Sequence, residues 1–349
     1  MAVLLTACGS SKKSAVQIDS SVKPSVVRVT GKVGNVSAGG SGFIIDAKRG
    51  LAVTNAHVVA GLQAIKAKLD DNGNETSASV VGTDPCDDLA VIQLSSPPTG
   101  LKALPLGDSQ TVKSGQSITV FGFPASIQTN GSESGQSASV VANTGTVSAA
   151  NIQASPGGDL PRLDQAIQHQ APTSPGDSGG PIVDQNGKVI AITTLGSTQG
   201  QNSNYSIAIN KAKSILPQLE SGKSINDVGW DIVPLSQAVD SLPDYFQNAG
   251  NGLDRAAGEA AEKAIKDNNV EGMYVNGVST GSPAANKHFA SGDLILSIEH
   301  QNVKTFQDVC DILQSKRPGD QIAVHGTWLD SAPSKDKVLQ QWDETITLK

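Results

Sequence analysis

No apolar run in this 349-residue chain approaches the ~18 residues of a membrane-spanning helix. Cysteine is scarce: Cys8, Cys86 and Cys310 are an odd, widely spaced set. Such a set makes no disulfide framework, and no pair has zinc-ligand spacing. A bridge between Cys86 and Cys310 is not expected, because they fall in segments that read as different domains. Cys310 reads as a core thiol, in a stripe with Phe306, Val309, Ile312 and Leu313 at helical spacing. Basic charge is also short. The net charge of −7 leaves no electrostatic footprint for nucleic acid. No metal or cofactor is implied. What the chain does have is turn residues, 36 glycines and 17 prolines, set among short Val/Ile-rich runs. That pattern predicts mainly β structure with many turns. The length suits two domains, and 38% hydrophobic with 17% charged residues suits a globular chain rather than a disordered one.

Residues 9–22 are polar and read as a tether, so the segment 1–22 stands apart. From 23 to 220 short apolar runs broken by turns predict a β-rich domain. Val26–Val29, Ser41–Ile45, Leu51–Val53, Leu89–Ile92, Ser117–Phe121 and Val189–Ile192 read as strands. Asp71-Asn72-Gly73 is a turn signal, and the polar stretch 125–140 reads as an exposed loop. Asn210–Leu219 reads as a closing helix, followed by a linker at 221–226. Residues 227–349 form a second, smaller α+β domain that holds all three tryptophans. Helices are expected over Leu253–Ile265 and Thr305–Lys316, and strands over Leu294–Ile298 and Gln321–Val324.

Three local motifs carry chemistry. Thr-Asn-Ala-His-Val-Val (54–59) offers a base, Asp-Asp-Leu-Ala-Val-Ile (87–92) a carboxylate, and Gly-Asp-Ser-Gly-Gly-Pro (176–181) a serine between glycines. A serine hydroxyl becomes a nucleophile when a base takes its proton, and histidine suits the task because its pKa lies near neutrality. A carboxylate behind the imidazole fixes its tautomer and stabilises the imidazolium. The order His57, Asp88, Ser178 matches chymotrypsin-type enzymes and not subtilisins or α/β-hydrolases. Gly176–Gly180 also fits the hydrolase elbow pattern, but no βαβ pattern surrounds it. The backbone N–H groups of Gly176 and Ser178 are expected to converge on the oxyanion of the tetrahedral intermediate.

With these motifs, Gly40–Asp46 and Gly145-Thr146-Val147-Ser148-Ala149, residues ~20–215 resemble the HtrA (Deg) family of serine proteases. The resemblance implies a chymotrypsin-type double β-barrel with the triad between the barrels. It also selects Asp88 over Asp87, because the family's carboxylate directly precedes Leu-Ala-Val. Two departures matter. Asp177 stands where the family has Asn, and it is expected to be held by backbone N–H donors. Gln170–Ser174 replaces the family's pocket segment. Pro172, Thr173, Thr194 and Leu195 are the expected pocket residues, with small or medium aliphatic residues before the cut rather than Arg or Lys.

Gly281–Ala285, Gly292–Ile298 and Phe306–Leu313 resemble a bacterial PDZ domain, which implies a C-terminal peptide ligand bound by strand addition. Asp231 lies where such a peptide's carboxylate would sit and would repel it, and residues ~235–270 exceed the expected length. Leu5-Thr6-Ala7-Cys8 resembles the lipobox of bacterial lipoproteins, implying an extracytoplasmic protein attached to the membrane by lipid at Cys8. The family reading further implies unfolded or misfolded polypeptide substrates and a homotrimer. The alternative is a latent protease acting mainly as a chaperone-like or peptide-binding module.

Overall fold

The computed structural model describes residues 13–33, 36–69, 75–124, 139–155, 160–194, 203–248, 254–287, 289–329 and 340–348. Cys8, the Asp71-Asn72-Gly73 turn, most of the 125–140 stretch and Leu195 lie outside them.

Two closed six-stranded barrels follow one another. The first comprises β1 (Val26–Val33), β2 (Val36–Asp46), β3 (Leu51–Thr54), β4 (Gln63–Leu69), β5 (Glu75–Asp84) and β6 (Leu89–Leu94), in the spatial order β1-β2-β3-β6-β5-β4. The second comprises β7 (Ser117–Gly122), β8 (Val141–Ala154), β9 (Leu163–His169), β10 (Pro181–Val183), β11 (Val189–Thr193) and β12 (Asn204–Ala208). Closure removes exposed strand edges, and inward-pointing residues from each strand fill the interior. Val27, Val29, Ile44, Ala52, Ala90 and Ile92 pack together in the first barrel, and Ile118, Val120, Ile167, Ile182 and Ala191 in the second. A larger cluster joins the barrels through Phe43, Phe121, Phe123 and Ile192.

The tether expected at the N-terminus is corrected for residues 15–22. They form α1 (Ala15–Val22), with Ile18 and Val22 buried in that joint cluster. Ser14 and Gln17 make a reciprocal capping box that satisfies two otherwise unpaired backbone donors. Helix α2 (Ala56–Val59) carries His57, and α3 (Ile209–Glu220) packs its apolar face on the barrels.

The C-terminal sheet runs β13 (Trp230–Pro234), β14 (Met273–Val278), β15 (Asp293–Ile298), β17 (Gln321–Trp328), β18 (Gln341–Thr347), with β16 (Gln301–Asn302) beside β15. The long segment after β13 folds into α4 (Leu235–Ala238), α5 (Leu242–Asn248) and α6 (Arg255–Asn268), which bury Leu242, Phe246, Ala261 and Ile265 with Tyr274 and Leu294. Helix α7 (Phe306–Leu313) covers the sheet, capped at Thr305.

The cysteine reading is also corrected. Cys86 and Cys310 form a disulfide, with Cα atoms 5.5 Å apart and a sequence separation of 224. The bridge ties α7, which carries Cys310, to the turn Pro85–Asp87 at the end of β5 in the first barrel. A bridge closing a loop this long stabilises by roughly 5 kcal/mol in the chain-entropy account. Sequence spacing alone does not reveal such a pair.

Candidate active site

Helix α2 and the turn before β6 bring His57 and Asp88 together. His57 Nδ1 lies 2.9 Å from Asp88 Oδ1 and 3.0 Å from Oδ2, and the His57 backbone N–H donates to Oδ1 at 3.1 Å. The second carboxylate oxygen accepts from Thr194 Oγ1 at 2.8 Å, and the Asn55 amide donates to the Asp88 carbonyl at 2.8 Å. Asp88 is buried and adopts the left-handed conformation, φ 51°, so the turn aims its side chain back at the imidazole. Every strong acceptor on Asp88 is used, and that fixes the ring face His57 presents. Thr194 was expected in the substrate pocket. It is 2% exposed and holds the carboxylate instead.

The nucleophile loop is built from the other barrel and bracketed by the first. Ser41 on β2 donates its backbone N–H to the Ser178 carbonyl (2.7 Å) and its hydroxyl to the Gly176 carbonyl (2.6 Å), while accepting the Phe123 N–H (2.9 Å). Gly176 has φ 97° and Gly179 φ 86°, conformations that favour glycine. A side chain at Gly179 would meet the Ser41 carbonyl and the Thr54 hydroxyl. Gly40 sits between the Val58 side chain and the Ser178 carbonyl, with no room for a Cβ, so the segments carrying His57 and Ser178 meet there. Among the described residues the Ser178 hydroxyl makes no hydrogen bond, to His57 or otherwise. The N–H groups of Gly176 and Ser178 likewise have no internal acceptor. Two donors without a partner, two residues apart in one loop, are rare in folded chains and suit an incoming oxyanion.

Asp177 is 1% exposed. The Ser174 backbone N–H donates to its Oδ2 at 2.9 Å, the kind of donor expected from sequence. Burial pushes its carboxyl up to about 6 against the opposing pull of that hydrogen bond. A His–Ser contact elsewhere joins His169 Nε2 to Ser206 Oγ at 3.0 Å inside the second barrel. Both residues are 0% exposed, and burial holds His169 down at about 4. Sealed from solvent, this pair is a filled barrel interior rather than a reacting dyad. On the expected pocket wall, the Pro172 carbonyl accepts from Asn143 (3.2 Å) and the Ala171 carbonyl from Asn204 (2.8 Å), pinning the segment before the nucleophile loop; Thr173 is half-buried beside them.

A double barrel with an imidazole–carboxylate pair and an open serine loop between its halves defines the trypsin-like class. Residues 40–192 match the Trypsin-like peptidase domain model and residues 248–326 the PDZ domain model. Among curated proteins, "Serine protease Do-like HtrA" of Bacillus subtilis is 28% identical over 82% of this chain and 60% of its own length. "Probable periplasmic serine endoprotease DegP-like" of Halomonas elongata is 29% identical over 82% of this chain and 52% of its own. The chain therefore spans less than two thirds of these relatives. Among solved structures, the HtrA-type protease AlgW with a tripeptide covers 96% of both chains at 27% identity and a TM-score of 0.53. The chain belongs to the HtrA family of serine proteases with a C-terminal PDZ domain.

Proposed function

We propose that this protein is a serine endopeptidase that cleaves polypeptides, and that its targets are unfolded or misfolded proteins outside the cytoplasm. The observation that carries the reading is the hydrogen-bonded His57–Asp88 pair beside a serine loop whose N–H donors at Gly176 and Ser178 have no internal acceptor among the described residues. His57 takes the Ser178 proton as Oγ attacks the scissile carbonyl. The imidazolium is stabilised by Asp88, the two N–H groups receive the oxyanion, and His57 then protonates the leaving amine. Water repeats the cycle on the acyl-enzyme. Pro172 and Thr173 receive the residue before the cut, with aliphatic preference.

The Cys86–Cys310 disulfide supports an oxidising compartment, and relatives such as the Halomonas protein carry the word periplasmic in their names. Lipid attachment at Cys8 rests on the Leu5–Cys8 motif alone, and the homotrimer on family resemblance. A tripeptide accompanies AlgW, which supports peptide binding here, including a peptide ligand of the PDZ domain.

The absence of a His57–Ser178 hydrogen bond favours a second reading, a latent protease acting as a chaperone-like module. Casein hydrolysis by wild type and Ser178→Ala separates them. The first reading predicts hydrolysis lost in the variant. The second predicts no hydrolysis by either, with suppression of aggregation by both.

A further inference from the structure

The turn that ends in Asp88 is short and held from several sides. Strand β5 ends at Asp84, opposite Leu89 on β6. Between them Pro85–Asp87 makes a single 3-10 turn, and the Asp88 N–H closes it on the Pro85 carbonyl at 3.2 Å. Asp88 then takes the left-handed conformation, φ 51° and ψ 45°. A residue with a side chain occupies that region only where its surroundings impose it. The reach of Asp88 to His57 therefore depends on how firmly the turn is closed.

The closing group is Asp84, an acid with no part in the proton transfers described above. It is 2% exposed. Its Oδ1 accepts the Asp87 backbone N–H at 3.3 Å, which caps the turn. Burial, and next the charge of Asp87, push its carboxyl up to about 8, and a hydrogen bond between the two carboxyls adds to the shift. The Asp87 N–H and the Lys211 ammonium pull the other way with less force. At neutral pH the two acids thus share one proton across the turn. The Asp87 carboxylate is also tied outward, to Lys211 Nζ on α3 at 2.8 Å. Behind Asp84 the linker clamps Thr83. The Thr83 N–H donates to Ser224 Oγ at 3.1 Å, its carbonyl accepts the Ile225 N–H at 2.8 Å, and its hydroxyl donates to Asp227. Asp87 from the turn and Lys211 from α3 are the charged groups that act on Asp84, and Asp227 of the linker holds the residue beside it. Helix α7 meets the turn through the uncharged Cys86–Cys310 bridge.

We propose that Asp84 is a positioning residue for the catalytic carboxylate: it locks the Pro85–Asp87 turn in the conformation that aims Asp88 at His57, and ionisation of Asp84 releases the lock. This rests on the endopeptidase reading and adds an internal pH limit to that same site. In the ionised form two carboxylates face each other across three residues, and Lys211 neutralises only one of them. The lock is complete below about 8 and is lost as pH rises through that value. Because the effect runs through the aim of Asp88, it falls on kcat and spares KM for a short peptide.

The test is a kcat profile for a short peptide substrate from about pH 7 to about pH 9.5, on full-length wild type, Asp84→Asn and Asp84→Ala. Wild type is expected to lose about tenfold in kcat across that range with KM unchanged, an effect within reach of a small misplacement of a reacting group. Asp84→Asn can donate to the Asp87 carboxylate and accept its N–H without ionising, so it keeps most of the neutral-pH kcat and its profile stays flat. Asp84→Ala is about tenfold low at every pH. Circular dichroism confirms folding, and should Asp84→Ala not fold, the contrast between wild type and Asp84→Asn decides alone. Parallel wild-type and Asp84→Asn profiles overturn the proposal, as does a folded Asp84→Ala protein with kcat within twofold of wild type at neutral pH. The downfield proton resonance of His57 Nδ1–H bound to Asp88, followed in Ser178→Ala protein, reads the same aim without hydrolysis. It is expected to fade above about pH 8 and to persist when Asp84→Asn is added; a resonance indifferent to that substitution overturns the proposal. Fluorophosphonate labelling of wild type at neutral pH reads the endopeptidase assignment separately, so either idea can fail alone.

Discussion

The two halves of the site are organised in opposite ways. On the first barrel, Asp88 is saturated by His57, Thr194 and the His57 backbone N–H. On the second, the Ser178 hydroxyl and the N–H groups of Gly176 and Ser178 have no internal partner among the described residues. The difference follows from their tasks. A base must be aimed before the substrate arrives, and each fixed hydrogen bond lowers the reorganisation needed at the moment of reaction. An oxyanion hole must keep its donors free, and it can do so only because Ser41 and Asp177 hold the loop from behind. One half is rigid through its own contacts and the other through its supports.

Breaking the saturated half has the largest expected effect. Asp88→Asn keeps the shape but offers the wrong donor to His57 Nδ1, and kcat should fall about 10⁴-fold in a peptide-hydrolysis assay. A fall below tenfold would show that the aim of His57 is set elsewhere. Loosening the support of the open half comes next. Ser41→Ala removes the hydroxyl that anchors the Gly176 carbonyl, so the neighbouring peptide is free to rotate. A loss of about 10² in kcat is expected, the size seen when one oxyanion donor is lost, with KM for a short peptide little changed.

The smallest effect on rate belongs to Asp177, and it sharpens the comparison through pH. Its folded carboxyl titrates near 6, above the ordinary value of 3.8. Between these values the folded state binds a proton that the unfolded state has released. The group's contribution to stability is therefore lost as pH rises from about 4 to 6. Asp177→Asn can accept the same Ser174 N–H without ionising, so it keeps most activity. Relative to wild type it gains up to about 3 kcal/mol by pH 7, read from denaturant midpoints at pH 4 and 7. Equal midpoint differences at the two pH values would remove the buried-charge account.

The proposed triad was legible in the sequence because its chemistry needs particular residue types in short local contexts: Ala-His, Asp-Leu-Ala-Val and Gly-Asp-Ser-Gly-Gly. The supports were less so. Thr194 and Ser41 act through hydroxyls that sequence alone does not aim: nothing local marks Thr194 as the partner of Asp88. Helix α1 left a readable trace, the capping pair Ser14 and Gln17 followed by Ile18 and Val22 one turn apart, but the polar composition around it pointed to a tether. The Cys86–Cys310 bridge left no local trace, since it depends on how two domains dock across 224 positions. The amphipathic stripe of α7 is visible in its spacing, but nothing in that spacing shows that Cys310 faces another domain.

Fluorophosphonate labelling followed by peptide mapping tests the central claim most directly, because the reagent reacts only with a serine that a neighbouring base has activated. The expected result is a single adduct on the peptide containing Ser178 in wild type, lost in Ser178→Ala and slowed at least ~10³-fold in His57→Ala. Wild-type protein that stays unlabelled with and without bound peptide, or an adduct at Ser206, would contradict the account.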